Sequence, residues 1–230
     1  MNIILFALSI IPSLLLLFYI KKQSNYSTHP RSLIIKYLCF GALSIIPVYV
    51  FEVVLDAALI SIINNMGLYL FTSNFIGVAL IEEFFKLLVL YEITNRNDKY
   101  FKTIYDGIIY SVSVALGFAI VEDLLYVFIY YGGSFETAML RAVTPGHFCF
   151  SIFMGLLFSE AKKYENYNRK KYGRNIMLSL FVPTIIHGLY DYCLTNENTL
   201  FILVFVVLLI CLYIFTYKIV KKKSKEIYFI

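Results

Sequence analysis

Glu82, Glu83, Lys86, Glu122, Asp123, His147, His187 and Asp191 are ionisable side chains set inside long apolar stretches of a 230-residue chain. Such groups cost several kcal/mol in hydrocarbon unless they face a bundle interior or water, so each is a candidate for function. A carboxylate beside a histidine in a low-dielectric pocket can take a proton from water. A second histidine or an amide can then donate to the oxyanion formed when that water attacks a carbonyl. Peptide hydrolysis is therefore within reach of these residue types. His147, His187, Asp191 and Glu82 are also ligand types that could hold Zn²⁺ with an open position for water. No HExxH motif is present, and no serine with a nearby base stands out as a nucleophile. Zinc thus stays open beside a mechanism that needs no cofactor.

Composition fixes the solvent in which these groups must work. The chain is 60% hydrophobic and only 15% charged, with a mean hydropathy of +0.76. Ordinary soluble domains are about half apolar and a quarter charged. The sequence predicts an all-α, polytopic transmembrane bundle of about seven spans: 2–20, 33–55, 71–93, 107–131, 144–161, 175–194 and 200–220. Each is long enough to cross a hydrocarbon core of about 30 Å. The stretch 56–70 is short and contains Asn64, Asn65 and Gly67, so it reads as a loop, an interfacial helix or a re-entrant turn. The first run has neither a basic leader nor a small-residue cleavage site and reads as a retained span. One domain, 1–230, is expected, with its motif-bearing core at 71–194.

Lys and Arg crowd alternate connections: Lys21 to Lys36, Arg96 to Lys102, Lys162 to Arg174, and Lys218 to Lys225. Arg141 is the exception in the intervening connections. The positive-inside rule then places the N-terminus outside and the C-terminus in the cytoplasm of a multi-pass cell-membrane protein. The net charge of +5 is a topology signal that also suits anionic lipid, and implies no nucleic-acid partner. Cys39, Cys149, Cys193 and Cys211 form no close pair and read as reduced packing residues.

Depth and helical phase gather the candidates. At 1.5 Å of rise per residue, Glu82 lies roughly 16 Å from the outer end of its span and His187 roughly 18 Å from the inner end of its own. Glu122 and His147 each lie roughly 22 Å above the inner ends of theirs. All four can meet between the midplane and the outer leaflet. Residues four apart share a helix face, which stacks Glu82 over Lys86, Phe118 over Glu122 and His187 over Asp191. Glu83 and Asp123 point about 100° away from their neighbours, so one member of each pair is expected inward and the other behind it. Gly77, Gly117, Gly155 and Gly188 are candidates for close helix approach.

Plainer readings exist for single residues. Glu82 with Lys86 fits a structural ion pair, and His187 fits a hydrogen-bonding packing residue. His29 reads as a solvated loop residue, while Glu52, Asp56 and Asp106 read as span-end groups that snorkel. The joint set at one depth does not reduce to these readings.

The runs EEFFK at 82–86, DGIIYSVSVALGFAIVEDLLY at 106–126, RAVTPGH at 141–147 and HGLYD at 187–191 resemble the PrsW family of intramembrane proteases. That family belongs to a wider glutamic-type group that includes the CAAX-prenyl endopeptidases. The resemblance covers roughly 71–191, with four motifs in order. It implies that Glu82 and Glu83 supply the water-activating base, that Glu122 and His147 assist, and that His187 with Asp191 orients or stabilises the tetrahedral intermediate. Lys86 would tune the glutamate pair. Asp123 stands where Asn is more usual in the family. The resemblance also implies first-site cleavage of a single-span anti-sigma factor on its extracytoplasmic side, releasing a stress-response sigma factor after further proteolysis. Two other classes use the same buried groups: a proton- or ion-coupled transporter, against which stands the lack of an internal repeat, and a non-catalytic scaffold.

Overall fold

A chain in lipid has no water to satisfy its peptide groups, so helices that bond internally are the economical solution. The computed structural model describes residues 2–24, 29–196 and 198–226. It is an all-α bundle: α1 (Asn2–Lys22), α2 (Arg31–Leu43), α3 (Ile45–Ile62), α4 (Met66–Thr72), α5 (Ile81–Arg96), α6 (Ile104–Leu124), α7 (Phe135–Val143), α8 (Gly146–Lys162), α9 (Arg169–Thr195) and α10 (Thr199–Lys223). A π-helical stretch, Ser73–Leu80, joins α4 to α5, and another, Leu125–Tyr130, extends α6.

Among the described residues, six helical segments are long and apolar enough to cross a membrane: Asn2–Lys22, Arg31–Ile62, Ile104–Tyr130, Phe135–Lys162, Arg169–Thr195 and Thr199–Lys223. The remaining expected span corresponds to the continuous helical run 66–96. It is long enough to cross but carries Glu82, Glu83, Lys86, Glu92 and Arg96, which take it out of the purely apolar class. The second span is interrupted at Ser44, where Pro47 has no N–H to offer the Leu43 carbonyl. Residues 56–70 are largely helical: α3 continues to Ile62, and the chain reverses in three residues. Asn65 then caps α4 by accepting from the Leu68 N–H at 2.9 Å. The connection containing Arg141 holds α7, a helix the sequence reading did not anticipate. It is reached through Gly132 and Gly133, which adopt φ of 58° and 89°.

At the centre runs α6, buried without a break from Ile104 to Ala119. Glycines bring its neighbours close. A Cβ on Gly107 would collide with Ser159 and the Gly155 carbonyl of α8, and one on Gly117 would collide with the Leu38 carbonyl of α2. Gly41 meets the Val114 carbonyl in the same way. Gly188 lies against the Phe75 ring, whereas Gly77 has ordinary room and is not required for packing. Large apolar side chains such as Ile3, Val54, Ile129 and Val207 remain exposed on the outside, where lipid is their solvent. Cys39 and Cys211 are also exposed, so only Cys149 and Cys193 pack inside as expected.

The Lys- and Arg-rich ends of α1, α5, α8, α9 and α10 gather at one end of the bundle, here called the basic end. The Tyr105 hydroxyl of α6 donates to the Ile20 carbonyl there, and Ser159 donates to the Ile104 carbonyl. His29 and Asp106 belong to this end and differ from expectation, since neither is solvated. Asp106 is fully buried, with its Oδ2 accepting from the Lys102 and Thr103 N–H groups at 2.7 Å. Thr103 returns a bond to the Asp106 N–H, closing a capping box that starts α6. His29 Nδ1 lies 3.2 Å from the Tyr110 hydroxyl and Nε2 lies 3.4 Å from Asp106 Oδ1. Capping explains Asp106: a helix start inside a protein needs its free N–H groups satisfied.

Burial pushes the His29 imidazole below its ordinary pKa, aided by Lys21 and opposed by the Asp106 carboxylate. The unfolded chain therefore binds the proton more readily, and stability must fall as pH drops below about 6.5, levelling off below the folded-state value. Thermal unfolding in detergent is expected to show His29→Gln less stable than the parent at pH 8. That gap should narrow towards pH 5. A gap independent of pH would show that His29 does not titrate on unfolding.

Candidate active site

The i, i+3 and i, i+4 geometry of α5 places Lys86 under both glutamates. Its Nζ lies 2.8 Å from Glu82 Oε2 and 2.9 Å from Glu83 Oε1. The third ammonium hydrogen points across the bundle to His147 Nδ1, at 3.1 Å. An ammonium only donates, so Nδ1 of His147 is the acceptor and the ring proton sits on Nε2. That Nε2–H donates to Glu122 Oε2 at 2.6 Å. The Phe118 ring floors the assembly, with the ammonium 4.4 Å from its centroid and the His147 ring edge-on at 5.5 Å.

A second chain of contacts runs through Glu83. Its Oε1 also meets His187 Nδ1 at 3.0 Å, and His187 Nε2 lies 3.0 Å from Asp191 Oδ2 one turn along α9. The His187 ring stacks on Phe150, with centroids 4.7 Å apart, and lies edge-on to His147 at 5.3 Å. Glu82, Glu83, Lys86 and His187 are all at most 2% exposed. The expectation of one inward glutamate and one behind it changes here. Both face inward because Lys86 brackets them, but they face different things. Glu82 lines a cavity of about 600 Å³, whereas Glu83 is enclosed between Lys86 and His187.

Arg141 closes the arrangement from α7. Its guanidinium donates to Glu122 Oε2 at 2.5 Å and to Asp123 through Nε, and stacks over Tyr126 with 4.4 Å to the ring centroid. Asp123 is thus a partner for Arg141. Sequence reasoning flagged Arg141 as an exception to the charge pattern and as the first residue of the RAVTPGH run, but gave it no role. The available signal was that same isolation: one cation in a connection otherwise free of them. The α7–α8 junction that aims His147 is held by two tyrosines, Tyr190 donating to the Thr144 carbonyl at 2.9 Å and Tyr213 to the Val143 carbonyl at 2.5 Å.

The structure therefore brings together Glu82, Glu83, Lys86, Phe118, Glu122, Asp123, His147, His187 and Asp191, as the sequence grouped them. Glu52 also differs from its reading as a snorkelling group. Its Oε1 is buried, without a hydrogen-bond partner among the described residues, and within electrostatic range of Glu82 and Glu122. Asp56 accepts from the Tyr69 hydroxyl at 2.7 Å instead of relying on solvent.

Charge balance shows what the site requires. Among the described residues, Glu52, Glu82, Glu83, Glu122, Asp123 and Asp191 face two fixed cations, Lys86 and Arg141. Four carboxyl groups are left for the imidazoles, protons on the carboxyls, or a bound cation to offset. A bilayer interior does not tolerate that excess without such compensation. For a metal, the donor set fits: atoms of Glu82, Glu83, His147 and His187 lie within 4.8 Å of one another. Glu83 Oε2 is buried without a hydrogen-bond partner among the described residues. Asp191 lies outside that group, on the far nitrogen of His187, where it orients the ring. Lys86 sits among the same donors, so an ammonium and a metal would compete for them.

A polytopic helical bundle whose interior holds carboxylates and imidazoles around a cavity of about 600 Å³ is the architecture of an intramembrane hydrolase. Comparison with known proteins agrees. Residues 29–217 match the family model described as PrsW family intramembrane metalloprotease. The chain is 35% identical over 204 residues to Protease PrsW of Oceanobacillus iheyensis, covering 87% of this chain and 88% of that one. It is 34% identical over 196 residues to Protease PrsW of Geobacillus kaustophilus, covering 84% and 81%. To Protease PrsW of Bacillus subtilis it is 31% identical over 188 residues, covering 81% and 80%. No solved structure matches it. The chain belongs to the PrsW family and is an intramembrane protease.

Removing one partner from a buried ion pair costs about 3–5 kcal/mol, because the other charge is left unpaired. Lys86→Met should therefore unfold at markedly lower temperature in detergent, with a loss on that scale. Arg141→Lys should keep the fold but lose the two-pronged grip on Glu122 and Asp123. Activity should fall about 100-fold, as misplacement of a catalytic group by about 1 Å does. Wild-type turnover in Arg141→Lys would remove Arg141 from the site.

Proposed function

We propose that the chain is an endopeptidase that cuts a single-span membrane protein, an anti-sigma factor, within the outer half of the bilayer, with Glu82 as the water-activating base. The observation that carries this reading is that Glu82 alone of the glutamate pair lines the cavity, while Glu83 is spent on Lys86 and His187. Water held at Glu82 gives it a proton as the oxygen attacks the scissile carbonyl. The proton then passes to the departing nitrogen as the C–N bond breaks. The backbone N–H groups of His147 and Phe148 in the first turn of α8 face the developing oxyanion, since Pro145 to Phe148 border the same cavity, while the His147 ring stays engaged with Lys86 and Glu122. Glu122 keeps His147 in one tautomer, and Asp191 orients His187.

The orientation belongs to this proposal. Basic residues gathered at one end put that end in the cytoplasm. His147, at the start of α8, then lies nearer the outer face, which suits cleavage of the extracytoplasmic side of an anchored protein and release of a sigma factor after further proteolysis. Reconstitution of the purified chain with the host's single-span anti-sigma factor tests it. Glu82→Gln should lower cleavage by at least about 100-fold, the lower bound for a general base. Undiminished cleavage by this variant would end the assignment.

The proximity of Glu82, Glu83, His147 and His187 favours one further reading. These four would hold zinc, which would supply a Lewis acid and an acidified water. Elemental analysis of active protein before and after chelation decides between them. Stoichiometric zinc that tracks activity displaces the mechanism in which protein groups alone activate water.

A further inference from the structure

A second concave surface of about 430 Å³ lies outside the catalytic cavity, between α1 and α10. Pro12, Leu15, Leu16 and Tyr19 form one wall. Tyr213, Thr216, Tyr217 and Val220 form the other. Both sets repeat at i, i+3, i+4 and i+7, so each wall is a single helix face about 10 Å long. Phe148 of α8 lies between the walls. The surface is apolar and open: Leu15 is 62% exposed and Tyr217 55%.

Two features say what covers it. The groove is continuous with the active site, because Pro12, Leu16, Pro145 and Phe148 line both it and the catalytic cavity. Its walls also run lengthwise, since α1 and α10 both end at the basic end with Lys21, Lys22 and Lys221 to Lys223. A rod along the bundle axis would lie against these walls for about 10 Å of its length, beside Pro145 and Phe148 at the catalytic cavity. A transmembrane helix satisfies its own backbone and asks only for apolar, shape-matched walls.

We infer that this groove seats the apolar helix of the substrate and feeds the stretch beyond its outer end to Glu82 and His147. The inference deepens the protease reading and rests on it. It makes α1 and α10 the specificity surface and the catalytic cavity the cutter. Tyr213 ties the two, since a helix pressing on α10 presses also on the Val143 carbonyl that helps hold the α7–α8 junction.

The test uses the full chain in liposomes with the single-span anti-sigma factor. In a Glu82→Gln background, which holds the substrate uncut, a photocrosslinking p-benzoylphenylalanine replaces Leu15 or Tyr217. Control positions are Leu14 and Phe215, which are exposed on other faces of the same helices. Adducts carried by the partner's membrane helix should form from Leu15 and Tyr217 and be about tenfold weaker from the controls. Equal yields from both faces, or adducts to lipid alone, overturn the inference.

A groove-filling Leu15→Trp in the otherwise unchanged chain gives an independent reading. KM for the anchored substrate should rise about tenfold, with cleavage of a short peptide spanning only the scissile segment unchanged. Tenfold corresponds to about 1.4 kcal/mol of docking energy. Equal loss on both substrates, or no loss on either, overturns the inference. Failure of the unsubstituted chain to cut either substrate would strike the protease reading instead, and the crosslinking map would still decide the docking.

Discussion

An ammonium group held away from water must be surrounded by acceptors, and everything in the core of this protein is arranged around that requirement at Lys86. Its three hydrogens go to three different residues on two helices, and its remaining face rests on an aromatic ring. Two of these acceptors are then held by a further group, Glu83 by His187 and His147 by Glu122, and Glu122 is held in turn by Arg141. The net is closed because each unpaired charge in lipid would cost more than the entropy of holding its partner still. Geometry that could be read as catalytic preparation is thus also what makes the charges tolerable. Stability and chemistry draw on one set of bonds.

The same logic explains the division of labour within the glutamate pair. Adjacent positions on a helix normally diverge, and here they still do, but a lysine three and four residues on reaches both. Glu83 is fixed by two partners and enclosed; Glu82 keeps one side on open space. Two chemically identical neighbours acquire distinct roles through what each is left facing. Both carboxylate pairs also lie within three residues of a π-helical stretch, a widened turn that often accompanies functional sites.

Much of this was legible because the bilayer simplifies the reading. Charges in apolar runs are conspicuous, and fourfold spacing gives Glu82 with Lys86 and His187 with Asp191 directly. The all-helical class and the approximate spans followed from length and hydropathy. What escaped were features decided by tertiary placement. Arg141 looked like a stray loop cation because α7 is short and its amphipathic face has meaning only once packed. His29 and Asp106 looked solvent-facing because their sequence neighbourhood is polar, yet a helix start inside the protein needs a cap and brought them in. Gly41 and Gly107 were overlooked because a glycine's role in close packing depends on which helix crosses it, and no local pattern reveals that.

The crossings at Gly41, Gly107, Gly117 and Gly155 have a consequence for where a bond can be cut. They pin α6 against α2 and α8 at contacts too tight to slide, so the height of Glu122 and Asp123 within the bundle is set by backbone touching backbone. Pinned this way, α6 serves as a depth gauge. A substrate helix can shift, tilt or stretch, but the cutting plane stays at a fixed distance from the basic end. Selection among partners then becomes a matter of length: how far a chain's apolar stretch carries its vulnerable bond before it reaches that plane.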